Sequence, residues 1–320
     1  MLVACIGHSK QRMGRNTSAN RNIVSFTLVS SIVFIWSASF IFIRIALEEI
    51  PPVTLALARF AVAAPILIIP TVYARSSREA MRIALTSDFM QFSALALTGV
   101  TLLYVFQFYS LQLISATEGS IIINLHAIFA MLLSALFLRE PLTRGKTAGV
   151  FLAFVGVTVI TIGNASTVSL NLFEPVGVLL MVAAAFCWAA YSILGKRVLH
   201  GYSSAVATSC VFLLGTLYLI PFALVEGRTN LVLNSSWMTW LSIVYLAIPS
   251  SVIAYMLWNR AIKEIDITKL LVAMYAIPIP TAILSYLFLG EKMTYFLLLG
   301  GALVIIGVYL TGSSRSNHQA

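Results

Sequence analysis

The sequence predicts an all-α polytopic membrane protein with ten transmembrane helices, arranged as two inverted five-helix repeats. Three observations carry that prediction. Hydrophobic residues make up 60% of the 320 and charged residues only 10%, against about 25% charged in an ordinary soluble domain. A soluble core of this size could not hide so much apolar surface, whereas a bilayer can. Apolar runs near the roughly 20 residues needed for a span recur along the whole chain. Finally, Leu136-Phe137-Leu138-Arg139-Glu140, followed by Thr143, Gly149 and Gly156, returns as Leu287-Phe288-Leu289-Gly290-Glu291 with Thr294, Gly300 and Gly307, at a constant offset of 151 residues. A period this long points to two halves rather than a solenoid.

Residues 1–22 read as a polar cytoplasmic segment with Lys10, Arg12, Arg15 and Arg21. The first repeat covers 23–163. Its first span, about 23–47, is too long for a secretory signal and lacks a cleavage site, so it reads as an uncleaved helix. Pro51-Pro52 ends it, and the second span runs from about 53 to 74. A polar loop with Arg75, Arg78, Arg82 and Asp88 leads to span three (about 89–112), span four (116–138) and span five (145–163). Residues 164–174 form an external linker. The second repeat, 175–312, holds span six (175–199), seven (203–225), eight (237–259), nine (267–289) and ten (295–311). A cytoplasmic tail, 313–320, closes the chain.

An even number of spans puts both termini on one side. Placing them in the cytoplasm puts 16 of the 20 Lys and Arg there and leaves only Arg228 and Lys292 in loops opposite, with Arg44 and Arg59 inside spans. The positive-inside rule therefore fixes the orientation and accounts for the net charge of +9 without nucleic acid. Cys5, Cys187 and Cys210 lack metal-ligand spacing and suggest no disulfide framework.

Five spans per half is an odd number, so the second copy enters the membrane from the opposite face. Glu140 and Glu291 then end equivalent helices on opposite sides. Trp36 and Trp188 match at an offset of 152, and Arg44 pairs with Lys196 at the same offset. Inverted repeats of this kind mark transporters that alternate access around a midplane site.

The two L-F-L-x-E helix ends, the glycine-bearing fifth helices, Trp36 and Arg59 resemble the drug/metabolite transporter superfamily, and within it the EamA-type transporter family. The resemblance covers about residues 23–312. It implies secondary transport of small polar metabolites, often outward, in a bacterial inner membrane and without a cofactor. The family usually places a proline in spans four and nine; Pro278 is present, but its mate is Ala127, next to His126.

Several residues are candidates for a substrate chamber. Tyr104, Gln107 and Phe108 share a face of span three, and Tyr255, Trp258 and Asn259 share the matching face of span eight. An interfacial aromatic belt is the structural alternative. Asn124 and His126 lie near mid-span in span four, where histidine offers proton coupling or simple packing. Glu118 lies about one turn inside the outer face, as a path-lining or interfacial carboxylate. Arg59, some 9 Å below the boundary at 1.5 Å per residue, must snorkel, pair or meet an anionic substrate group. An ion pair with Glu118, Glu48 or Glu49 is the expectation, with substrate carboxylate recognition as the other use. Arg44 is expected to reach Glu48. Glycine stripes in spans five and ten serve close packing or a homodimer seam, and Pro278 and Pro280 should kink span nine.

No H-E-x-x-H, G-x-S-x-G or P-loop appears in the sequence, which argues against an enzyme or an ATP-driven pump. The expected partners are a small-molecule substrate and membrane lipid. Amino acids or related compounds are the favoured cargo. A nucleotide-sugar, a drug, a lipid-linked sugar, or a non-transporting membrane sensor remain as alternatives.

Overall fold

The computed structural model describes residues 27–138, 144–165, 173–198, 201–264, 270 and 274–313, and the regular structure among them is helical. Helix α1 covers Thr27–Leu47, and a turn over Glu48–Ile50 leads to Pro51. Pro52 opens α2, Pro52–Tyr73, where its missing N–H costs nothing because the first turn has no acceptor for it. The polar loop expected next is instead a helix, α3, Arg75–Thr86. Arg75, Arg78 and Arg82 recur on one face while Met81 and Ala84 are buried on another. That amphipathic pattern suits the membrane surface, and its charges masked it in a reading keyed to apolar runs.

Helix α4, Phe89–Leu113, contains a π-helical turn at Leu97–Thr101. Span four is broken: α5, Ala116–Ile122, passes through a 3₁₀ turn at Ile123–Leu125 into α6, His126–Leu138. Next come α7, Arg144–Ala165, α8, Phe173–Val198, and α9, Ser204–Glu226, which Gly227 ends in the left-handed conformation at φ 70. Helix α10, Trp237–Ile262, has its own π turn at Ile248–Ile253. Helices α11, Pro278–Leu289, and α12, Tyr295–Ser313, complete the described chain. Pro278 is the first residue of α11 rather than an interior kink, because the chain turns at Tyr275–Ile277 just before it.

Among the described residues seven helical stretches are long and apolar enough to cross a membrane, and Thr147–Val159, Pro278–Leu289 and Tyr295–Gly307 are shorter apolar helices. The expected N-terminal segment 1–22, most of the linker 164–174, the tail beyond 313, and Cys5, Arg139, Glu140, Thr143 and Lys269 lie outside the described residues.

Helix α2 packs on α9, α7 on α12, and α5 on α11, while α4 and α6 both pack on α8. The glycine stripes face each other inside the chain. A Cβ on Gly156 would stand 2.6 Å from the Gly300 carbonyl oxygen, and one on Gly307 would stand 2.5 Å from that of Gly149. Such contact is available only to glycine, so Gly156 and Gly307 serve α7–α12 packing inside the chain.

Carboxylates close three helix N-termini at the end of the bundle that carries the α1–α2 turn. Glu226 accepts from the Val53 and Thr54 amides at 3.1 and 2.7 Å, from Thr54 Oγ1 and from Tyr109 Oη. Glu291 does the same for Ala116 and Thr117 at 2.7 and 3.2 Å, and Glu49 accepts from the Ser236 amide at 2.7 Å. An anionic acceptor satisfies the orphan amides and the helix dipole together. Glu118 is spent locally, in a capping box with Ser115.

Candidate functional site

The chamber is built where helices lose regularity. The π turns in α4 and α10 begin 151 residues apart, at Leu97 and Ile248. The 3₁₀ turn beginning at Ile123 has its counterpart in the turn at Tyr275–Ile277. Irregular backbone inside a membrane is tolerated where protein or a cavity satisfies it, and such turns often mark functional sites. Between these turns lies a cavity of about 70 Å³ lined by Trp36, Ser39, Phe40, Arg59, Leu103, Tyr104, Gln107, Ile123, Asn124, His126, Trp188, Ser250, Met274 and Ile277, with Ile43 beside them. Seven of the sequence candidates are therefore brought together: Trp36, Arg59, Tyr104, Gln107, Asn124, His126 and Trp188.

Arg59 dominates the site. Its side chain is buried and pairs with no carboxylate among the described residues, contrary to the expected ion pair. Glu118 is occupied by its own cap, and Glu49 by the N-terminus of α10. Instead Nε donates to Ser251 Oγ at 2.6 Å, and Nη2 donates to Tyr104 Oη and Ser250 Oγ, both at 3.1 Å. The guanidinium also lies 4.3 Å from the centre of the Tyr104 ring, within cation–π range. Those bonds occupy three of its five donors; the two on Nη1 have no protein partner among the described residues. Arg44 likewise departs from the expected pair with Glu48 and donates to the Leu111 carbonyl at 2.6 Å.

Asn124 and His126 flank Leu125 at the 3₁₀ break. The Asn124 amide nitrogen reaches back to the Ser120 carbonyl, and Oδ1 is buried without a partner. His126 Nδ1 lies 2.8 Å from the Ile123 carbonyl, so that nitrogen carries a proton and Nε2 keeps its lone pair in the neutral ring. Nε2 too is buried without a partner. Two unfilled acceptors and one half-used cation therefore share a cavity with no carboxylate among its lining residues. Buried polar atoms are normally satisfied, so such orphans point to a ligand or to water.

The remaining candidates are not among the lining residues. Phe108 packs edge-on against Tyr104 at 5.4 Å. Trp258 packs at a tilt behind Trp36 and Trp188, at 5.4 and 5.2 Å between ring centres, with its indole N–H unpartnered. Tyr255 donates to the Gly99 carbonyl, and Asn259 bonds Tyr191 and Thr208. Pro278 is buried one residue past the lining Ile277. The two trios are thus placed symmetrically but used differently, because Trp36 and Trp188 fill the space in front of the second. The polar wall belongs to the first half (Arg59, Gln107, Asn124, His126). The second half offers Trp188, Ser250, Met274 and Ile277, the last two being the counterparts of Ile123 and His126.

The sequence reading overlooked Ser250 and Ser251. Their signal was a polar pair after Pro249 in the middle of an apolar span. It also missed the capping roles of Glu226 and Glu291.

The model of the EamA-like transporter family matches residues 24–162 and again 175–313. A protein of Archaeoglobus fulgidus described as an uncharacterized transporter is 39% identical over 93% of this chain and all of its own. A probable amino-acid metabolite efflux pump of Salmonella typhimurium is 26% identical, covering 87% of this chain and 91% of its own. A probable terminal-alkyne amino-acid exporter of Streptantibioticus cattleyicolor is also 26% identical, over 87% and 90%. A solved structure at 20% identity superposes with a TM-score of 0.63 over 90% of this chain and 96% of that one, a likeness of fold. With two matched copies spanning most of its length, the chain is a multi-pass membrane protein and belongs to the EamA-like transporter family.

Proposed function

We propose that the protein is a secondary transporter that exports amino acids or closely related zwitterions by alternating access. In this reading ten spans form two inverted five-helix repeats, 23–163 and 175–312, joined by an external linker at 164–174. Both termini are cytoplasmic and the membrane is a bacterial inner membrane. Repeat symmetry supports the architecture: both ends of the two family matches are offset by 151 residues, as are the starts of the π turns. Helices α2 and α9, and α7 and α12, are repeat mates that pack on each other, as elements beside a two-fold axis must.

The observation that carries the substrate assignment is that one cavity is lined by Arg59, whose Nη1 is unused, and by Asn124 and His126, whose Oδ1 and Nε2 are unfilled acceptors. A carboxylate suits the guanidinium, and an ammonium suits the two acceptors. An apolar side chain then faces Met274, Ile277 and Trp188. Names of relatives that export amino acids point the same way. A cavity of about 70 Å³, room for roughly five waters, and a single guanidinium do not favour a nucleotide-sugar. His126 acts here as an acceptor rather than a proton carrier, since a proton on Nε2 would add a second cation beside Arg59.

Counterflow of radiolabelled neutral L-amino acids into proteoliposomes tests the proposal. Saturable exchange, lost in Arg59→Gln, is expected; no exchange of any of them by the folded wild-type protein would overturn it.

A further inference from the structure

Two hydrogen-bond chains leave Arg59 and run to the two π turns. On one side Nε–H donates to Ser251 Oγ, and Ser251 passes its own proton to the Leu246 carbonyl at 2.8 Å, just before the π turn of α10. On the other side Nη2–H donates to Tyr104 Oη. Tyr255 Oη donates to the Gly99 carbonyl at 2.8 Å, inside the π turn of α4. The two tyrosine hydroxyls meet at 3.0 Å. Tyr255 has one proton and spends it on Gly99, so Tyr104 must be the donor between them. The direction of every bond is fixed: Arg59 to Tyr104 to Tyr255 to Gly99. Arg59 and Tyr104 belong to the first half, and Ser250, Ser251 and Tyr255 belong to the second. One guanidinium therefore ties the two halves together through the irregular turn of each.

We propose that Arg59 is a latch between the halves that substrate carboxylate releases, so that the protein works as an exchanger rather than as a carrier that returns empty. This rests on the transport reading above. A carboxylate gripping a guanidinium in a fork needs parallel N–H groups on two neighbouring nitrogens. Only Nη1 is unoccupied, so a two-point grip has to take an N–H of Nη2 from Ser250 or Tyr104. Binding and unlatching become one event. Without substrate the guanidinium falls back onto Ser250, Ser251 and Tyr104, and reorientation of one half against the other would strip a buried cation of its partners, a costly state in a membrane. The loaded carrier has the substrate in their place. Ser251 and Tyr255 are positioning residues in this scheme: neither lines the cavity, and each holds one chain to its π turn.

The test compares two rates in proteoliposomes loaded with radiolabelled L-leucine, L-threonine or L-phenylalanine. One is efflux into buffer without amino acid; the other is efflux into buffer containing the same amino acid unlabelled. For the wild type the second rate should exceed the first by about tenfold or more. In Ser251→Ala, and separately in Tyr255→Phe, efflux into empty buffer should rise and the ratio fall toward one. A structural role alone would lower both rates together and leave the ratio unchanged. A wild-type ratio near one, or ratios unaltered in both variants, would overturn the latch while leaving transport intact. Absence of any saturable efflux by the wild type would instead overturn the transport reading itself.

Discussion

Tyr104 and Tyr255 stand 151 residues apart in the sequence, and their hydroxyls meet at 3.0 Å. Each is the other's counterpart in the repeat, so this bond lies where the two halves face one another. It is also unsymmetrical: Tyr104 accepts from Arg59, whereas Tyr255 donates to the Gly99 carbonyl. Tyr104→Phe removes a buried acceptor from a guanidinium and a donor from Tyr255. A loss of about 1–3 kcal/mol is expected, read as a lowered thermal midpoint in detergent. An unchanged midpoint would show that water replaces the hydroxyl.

Gly99 is constrained by what stands over it. A Cβ added there would fall on the Tyr191 ring, which is itself held by its bond to Asn259. Gly99→Ala should destabilise the protein by about 1–3 kcal/mol through overpacking. Gly201→Ala, where a Cβ meets nothing within 4 Å, should leave the midpoint unchanged. Equal midpoints for the two variants would contradict the packing argument.

Glu291 fills the N-terminus of α5 with three bonds, to two amides and to Thr117 Oγ1. Glu291→Ala should cost about 1–3 kcal/mol, as removal of a charged cap does. Thr117→Val, which removes one of the three, should cost less. Chemical denaturation of the two variants in the same detergent gives the order; the reverse order would contradict it.

Glu49 is exposed, and its bonds to Ser236 hold its carboxyl below the ordinary carboxylate value. A group whose folded value is depressed adds stability above its unfolded value, and that stability is lost as pH falls through the folded value. The midpoints of wild type and Glu49→Gln should therefore differ at neutral pH and converge below about pH 4, near the ordinary carboxylate value. A gap that persists at acid pH would mean that the charge is not responsible.

Much of the architecture was legible because it rests on composition and on a repeat. The second L-F-L-x-E string closes α11 at Leu289 and Gly290, and the offset of 151 residues recurs in the starts of the two π turns, backbone features that no single residue announces. What escaped had physical reasons. The arginines of α3 hid a helix that buries only Met81 and Ala84. The break in span four had no signal in the sequence, since Ala127 stands where a proline would mark one, yet the chain turns at Ile123–Leu125. The depth of Arg59 in its span marks it in the sequence, and its charge suggests carboxylate partners. The partners are hydroxyls, because the nearby acids are engaged at helix N-termini and a π turn brings two serines to the guanidinium. Periodicity could not separate Trp258 from Gln107 either, since equivalent positions face a cavity in one half and the indoles of Trp36 and Trp188 in the other.

Arg59 is proposed to hold the carboxylate of a small zwitterion, and competition for binding to the wild-type protein decides the matter. Binding of a radiolabelled transported amino acid to purified protein should be displaced by that unlabelled amino acid. Its methyl ester and the amine left by decarboxylation should compete at least about tenfold more weakly, as expected when a charged hydrogen bond worth about 1.5–3 kcal/mol is lost. Equal competition by the amine would contradict the account, since the cargo would then be held without its carboxylate.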